Sequence, residues 1–114
     1  MLTATFIFRP GERDDEFEAL TLALSERARC IEGFVDEEEW CSLDSETRLV
    51  NYYWRDRESL DRFVTDRIHR YAKSRQKQWY DGHHVIISEV VSTYGDGGIP
   101  HATGRSRYPK GKLP

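Results

Sequence analysis

The chain has 114 residues, of which 38% are hydrophobic, 32% charged and 12% aromatic, with a formal net charge of −3. That length suits one domain with a modest core, and the apolar content is too high for a disordered chain. The acidic balance argues against nucleic acid as the main partner, and no apolar run is long enough to span a membrane.

Leu2 to Phe8 (LTATFIF) is rich in β-branched and aromatic residues and runs into Arg9-Pro10-Gly11, so a first strand closed by a turn is expected. No basic stretch followed by an apolar one opens the chain, so no signal peptide is expected and a cytoplasmic location is. Phe17, Leu20, Leu24, Ala28 and Ile31 then recur at helical spacing, with Leu22 off the stripe. Asp14 is placed to cap this helix and Gly33 to stop it.

A second strand is expected in FVDEEEWCSL (34–43), although its acidic run gives it poor propensity, and Glu37, Glu38 and Glu39 read as a solvated loop or edge. RLVNYYW (48–54) is a strong third strand. Asp56 is placed to cap a second helical region up to Trp79-Tyr80, which Asp81-Gly82 would end. His83 to Tyr94 reads as the fourth strand. Residues 95–114 form a Gly- and Pro-containing tail whose Arg105, Arg107, Lys110 and Lys112 outnumber its one acid, Asp96. An ordered tail needs a surface, and the acidic body of the same chain or of a partner would supply one.

The order is βαββαβ, which gives an α+β, ferredoxin-like domain over residues 1–94, with a four-stranded antiparallel sheet and the helices on one face. Strands three and four carry large apolar residues on both faces: Val50, Tyr52 and Trp54 against Leu49 and Tyr53, and Val85 and Ile87 against Ile86. Helices cover only one face, so a homodimer through the other is expected.

Several residues are candidates for chemistry. In an unbroken second helix, His69 would point to solvent. A break at Thr65-Asp66 would restart the phase, form a stripe of Ile68, Ala72, Arg75 and Trp79, and turn His69 to the border of the sheet cleft. There an imidazole could carry a proton or bind haem iron. Asn51 shares a strand face with Leu49 and Tyr53, and its amide could hold a substrate oxygen or a partner's backbone. His83 and His84 are adjacent on a strand and so cannot chelate together. Cys30 and Cys41 read as free thiols, and no zinc-type spacing exists. The aromatics Tyr53, Trp54, Phe63, Trp79 and Tyr80 are candidates to line a space for a flat apolar or aromatic ligand. Phosphate-loop and nucleophile-elbow patterns are absent; GDGG follows the last strand but opens no helix. An RNA-binding RRM shares the element order, but RLVNYYW lacks that pattern's glycines.

IEGF (31–34), YYWRDRESLDRF (52–63), His69 and QWY (78–80) before an apolar strand together resemble the antibiotic-biosynthesis-monooxygenase (ABM) family over residues 2–94. The resemblance implies a dimeric α/β barrel. It also implies a monooxygenase acting on a small aromatic, polyketide-like substrate without a cofactor, or on haem. His69 and Asn51 are then the catalytic candidates. The haem-degrading branch of that family has Asn in the first strand, Trp on the second helix and a ligating His beyond it. Here the first strand has no Asn, Phe63 stands at the Trp position and Lys73 at the ligand position. The alternative is a non-catalytic homodimer of this fold that binds a small ligand or serves in regulation.

Overall fold

The computed structural model describes residues 1–11, 14–43, 45–101 and 103. The elements are β1 (Leu2–Pro10), α1 (Asp15–Cys30), β2 (Phe34–Cys41), β3 (Arg48–Trp54), α2 (Arg57–Val64), α3 (Arg67–Ser74), α4 (Gln76–Trp79) and β4 (Tyr80–Glu89). The strands form one antiparallel sheet in the order β2-β3-β1-β4, as the ferredoxin-like reading requires. The part of the expected tail beyond Thr103, with its basic residues, lies outside the described residues.

The helices α1, α2 and α3 each start where the sequence supplies a cap. Asp14 accepts from Phe17 N at 2.7 Å, Asp56 from Ser59 N at 2.9 Å and Asp66 from Ile68 N at 2.9 Å. Gly33, at φ +98, turns the chain from α1 into β2. A Cβ there would lie 1.9 Å from Ser59 Oγ, and the Gly33 carbonyl accepts from Arg55 N at 2.7 Å. Only glycine allows both the left-handed turn and that approach. Ser59 is itself held by Asp56, to which its hydroxyl donates at 2.7 Å. The IEGF turn and the start of α2 therefore lock into one another.

The core lies between the helices and one face of the sheet. Ala28, Trp54, Leu60 and Phe63 are buried there, with Leu2, Ala4, Leu24, Ile31, Phe34 and Tyr52 packed against them. Leu22, off the helical stripe, is exposed.

Three strands differ in extent from the sequence expectation; the second ends at Cys41 rather than Leu43. The fourth strand begins at Tyr80 and ends at Glu89 rather than running from His83 to Tyr94. Asp81 and Gly82 lie inside it, because β4 is an edge strand that pairs with β1 alone and tolerates poor strand formers. The first strand continues through Arg9 and Pro10, with a bulge between them that accommodates the proline.

Candidate functional site

The second helical region is broken, and the break decides where His69 goes. Thr65 Oγ1 donates back to the Asp61 carbonyl at 2.8 Å, closing α2. Asp66 is extended (ψ 142) and restarts the chain as α3. Arg27 of α1 donates to Asp66 Oδ2 at 2.6 Å, tying the two helices together at that point. With the phase restarted, Ile68, Ala72 and Arg75 are half-buried and Trp79 is buried, while Tyr71 is turned outward.

His69 is half-buried and meets the Phe63 ring edge to face, with centroids 4.8 Å apart. Phe63 in turn packs on Trp54 (5.2 Å) and Tyr52 (5.4 Å). Burial, with the nearby Lys73 charge adding, holds the imidazole below its ordinary pKa, against weaker opposing effects of the Val64 backbone and Asp66. Its Nδ1 is buried and has no hydrogen-bond partner among the described residues. The result is an imidazole biased toward its neutral form.

Trp54, Phe63 and His69 thus form one cluster on the helix side of the sheet. Trp79 and Tyr80 belong to a second: Trp79 meets Phe17 (5.5 Å), and Tyr80 meets Phe6 (5.2 Å) and Phe8 (5.0 Å). Trp54 and Trp79 are almost wholly enclosed and serve as core. Tyr52 and Tyr80 are pushed up in pKa by burial, so both stay protonated. Beside these clusters the helix side of β4 is bare, with Val85 52% and Ile87 43% exposed.

Asn51 and Tyr53 are not part of this arrangement. Register places them on the opposite face of the sheet from Tyr52 and Trp54. There Asn51 Oδ1 accepts from Thr5 Oγ1 at 2.7 Å, and Asn51 Nδ2 donates to Glu38 Oε1 at 3.1 Å. Tyr53 OH donates to the same Glu38 oxygen at 2.5 Å. Burial and the Glu38 carboxylate push the Tyr53 phenol up to about 12. Burial alone would raise the Glu38 carboxyl, but the hydrogen bonds from Tyr53 and Asn51, with His101, outweigh it and hold it below the usual range.

Glu38 is the residue that sequence reasoning missed. Taken with Glu37 and Glu39 as a solvated run, it instead faces Asn51 on the sheet surface. The signal was its place two residues from both Asp36 and Trp40 on one strand face, opposite Asn51 once the β2–β3 register is known.

The remaining sequence-level candidates are inert here. Cys30 and Cys41 are free and exposed, His83 and His84 fall on opposite faces, and no group of three or more metal-ligating side chains exists among the described residues. A depression of about 460 Å³ lined by Pro10, Gly11, Cys41, Ser45, Glu46 and Arg48 lies at the far end of the sheet from Trp54 and holds none of the catalytic or substrate-binding candidates. No helix among the described residues is long and apolar enough to cross a membrane.

Residues 11–91 match the family model described as monooxygenase af470-like. The chain belongs to this family. Solved structures agree with the fold. Rv0793 from Mycobacterium tuberculosis superposes with a TM-score of 0.69 at 15% identity, over 82% of this chain and 98% of that one. An asparagine variant of SnoaB, a cofactor-independent oxygenase from Streptomyces nogalater, gives 0.69 at 14% identity over 81% and 94%. A structure described as an antibiotic biosynthesis monooxygenase gives 0.62 at 14% identity over 81% and 100%. No curated protein matches the sequence significantly. The ABM-type, ferredoxin-like α+β fold expected from the sequence is therefore the fold of this chain.

For haem, a cofactor that the resemblance admits, the enclosed His69 Nδ1 offers iron no open lone pair. Lys73, at the position where the haem-degrading branch has its ligand, is exposed.

Proposed function

We propose that this protein is an ABM-type monooxygenase that adds oxygen to a small aromatic, polyketide-like substrate held on the helix side of the sheet. The observation that carries this reading is the helix break at Thr65-Asp66, which sets a half-buried His69, biased by burial toward its neutral form, edge-on to Phe63. A substrate lying along Val85 and Ile87 would bury apolar surface that the fold leaves bare.

In this reading His69 takes a proton from a phenol or an activated carbon of the substrate. The electron-rich anion reacts with molecular oxygen. One oxygen atom stays on the product, and the other leaves as water with two hydrogens of the substrate, one of them returned by His69; the substrate supplies all four electrons that reduce the oxygen molecule. Phe63 holds the imidazole ring, and Tyr80 shapes the cleft as a protonated phenol. Oxygen consumption with a panel of small phenolic aromatics, compared between the wild-type protein and His69→Ala, tests the proposal.

The protein acts as a homodimer in this reading, closed through the sheet face away from the helices. Trp40 is 62% and Ile86 44% exposed on the face away from the helices, and a monomer would leave both in water. A second reading, a non-catalytic homodimer that binds a small ligand, is favoured by one observation. Asn51 has Thr5 on its oxygen and Glu38 on its nitrogen, as a structural amide would. Under that reading His69→Ala and Asn51→Ala change ligand affinity or thermal stability, and no turnover exists to lose.

A further inference from the structure

Every second residue of β1 faces the helices: Leu2, Ala4, Phe6 and Phe8. Three of these side chains are large and one is small. Phe6 stacks on Phe8 with centroids 5.1 Å apart, and Tyr80 meets both rings, so that end of the face is filled. Leu2 closes the other end beside the enclosed Trp54, its partner on β3. Between the two ends Ala4 offers a single methyl group. Leu2 and Phe6 stand about 13 Å apart along the strand, and once their own side chains are allowed for the interval left is about one aromatic ring wide.

The two flanks of Ala4 differ. Toward β3 its register partner is Tyr52, which the Phe63 ring of α2 covers at 5.4 Å, and Ala4 packs against that core. Toward β4 its partner is Ile87, 43% exposed, and the next residue on the same face is Val85, 52% exposed. The cover given by the helices therefore stops at β1, and Ala4 is half-buried on the boundary. Alanine is a weak strand former, and a β-branched residue would suit the strand better and bury more apolar surface there. What alanine supplies at this position is space. The space adjoins Phe63, on whose ring His69 is set.

We propose that Ala4 is the specificity-determining residue of the helix-side cleft: its small side chain admits one ring of a flat, fused aromatic substrate between Phe6 and Phe63, while the remaining ring lies on Val85 and Ile87. This role rests on the oxygenase reading in taking the helix side of the sheet as the substrate site. The homodimer closes through the opposite face, so the cleft stays open in the dimer.

The probe is 1-naphthol, titrated into the full-length protein while the Ala4 methyl group is followed by carbon–proton NMR. A saturable shift of that methyl is expected. Ala4→Val puts two further methyl groups into the gap, and calorimetric titration should show 1-naphthol binding weakened about tenfold or more, the scale of a methylene in an apolar pocket. The melting temperature of Ala4→Val should hold or rise, because valine suits a strand and fills empty space. A clear fall would mean that α2 already occupies that space, since an added group in a filled core is destabilising, and it overturns the proposal. So does an Ala4 methyl in the wild type that does not respond to 1-naphthol, and so does a stable Ala4→Val protein that binds 1-naphthol as tightly as the wild type. Oxygen consumption separates the two readings. A wild type whose Ala4 responds to 1-naphthol, whose Ala4→Val variant binds it weakly and which consumes no oxygen with it supports the role of Ala4 and counts against the oxygenase.

Discussion

Asp66 and Arg27 join at 2.6 Å, and through that contact α1 fixes the residue at which the second helical region restarts. Asp66 does two jobs with its two oxygens. Oδ1 caps α3 through Ile68 N, and Oδ2 takes the Arg27 guanidinium. The orientation of His69 three residues later follows from this start, since the phase of a helix is set by its first turn.

Asp66→Ala removes the cap and the ion pair together. The expected cost is about 1 kcal/mol from the cap, with little from the exposed pair. The sharper effect is on turnover, which should fall more than stability does, because the restart no longer fixes His69 against Phe63. Asp66→Asn keeps a capping oxygen and should recover most of the turnover. Chemical denaturation alongside oxygen consumption measures both, and equal turnover in all three proteins would show that the restart does not orient His69.

Gly33→Ala should destabilise the fold severely, by at least about 1–2 kcal/mol. The residue sits at φ +98, and the new methyl would meet Ser59 at 1.9 Å, where Ser59 is buried and held by Asp56. Ser59→Gly in the same chain should restore part of the loss by clearing the space. Thermal unfolding of the single and double variants is the check.

Acid should unsettle His69 before it unsettles the carboxylates. Its folded pKa is lowered by burial, so as pH falls the unfolded chain binds the proton first. The stability linked to this group is complete above about pH 6.5, the ordinary histidine value, and is lost as pH falls from there through the folded value. Glu38, Asp56 and Asp66, all held low, keep their contributions until pH falls into the ordinary carboxylate range and lose them from there down through their folded values. Replacing His69 with Asn should flatten the stability profile as pH falls below about 6.5; an unchanged slope would mean that the ring is not desolvated in solution.

Most of the fold was legible because its signals are local. The α1 stripe, the caps at Asp14 and Asp56 and the stop at Gly33 all come from side chains acting within a few residues. Even the break at Thr65-Asp66 could be written down as one of two outcomes, and the position of His69 followed from it. What could not be read was register. Glu38 looks like one of three solvated acids until β2 is laid against β3, and only then does it meet Asn51. Likewise, the sequence reading let Asn51 and His69 hold one substrate together, whereas the alternation of side chains along β3 sends Asn51 to the face away from α3. The start of β4 was missed because Asp81-Gly82 is a turn signal that pairing with β1 overrides.

Trp40→Glu or Ile86→Lys should shift the oligomeric state. Each places a charge on the apolar part of the sheet face, where a second copy would have to desolvate it. Analytical ultracentrifugation should find a dimer in the wild type and a monomer in the variants, with the monomer still folded by circular dichroism. A wild-type monomer at every concentration would remove the proposed dimer.

Oxygen consumption bears most closely on whether His69 serves an oxygenation reaction. Wild-type protein should consume oxygen with at least one small phenolic aromatic, releasing product that carries one added oxygen atom, and His69→Ala should lose that activity while binding the same compound. A His69→Ala protein that consumes oxygen at the wild-type rate, or a wild type that binds the compounds and consumes none, would contradict the account.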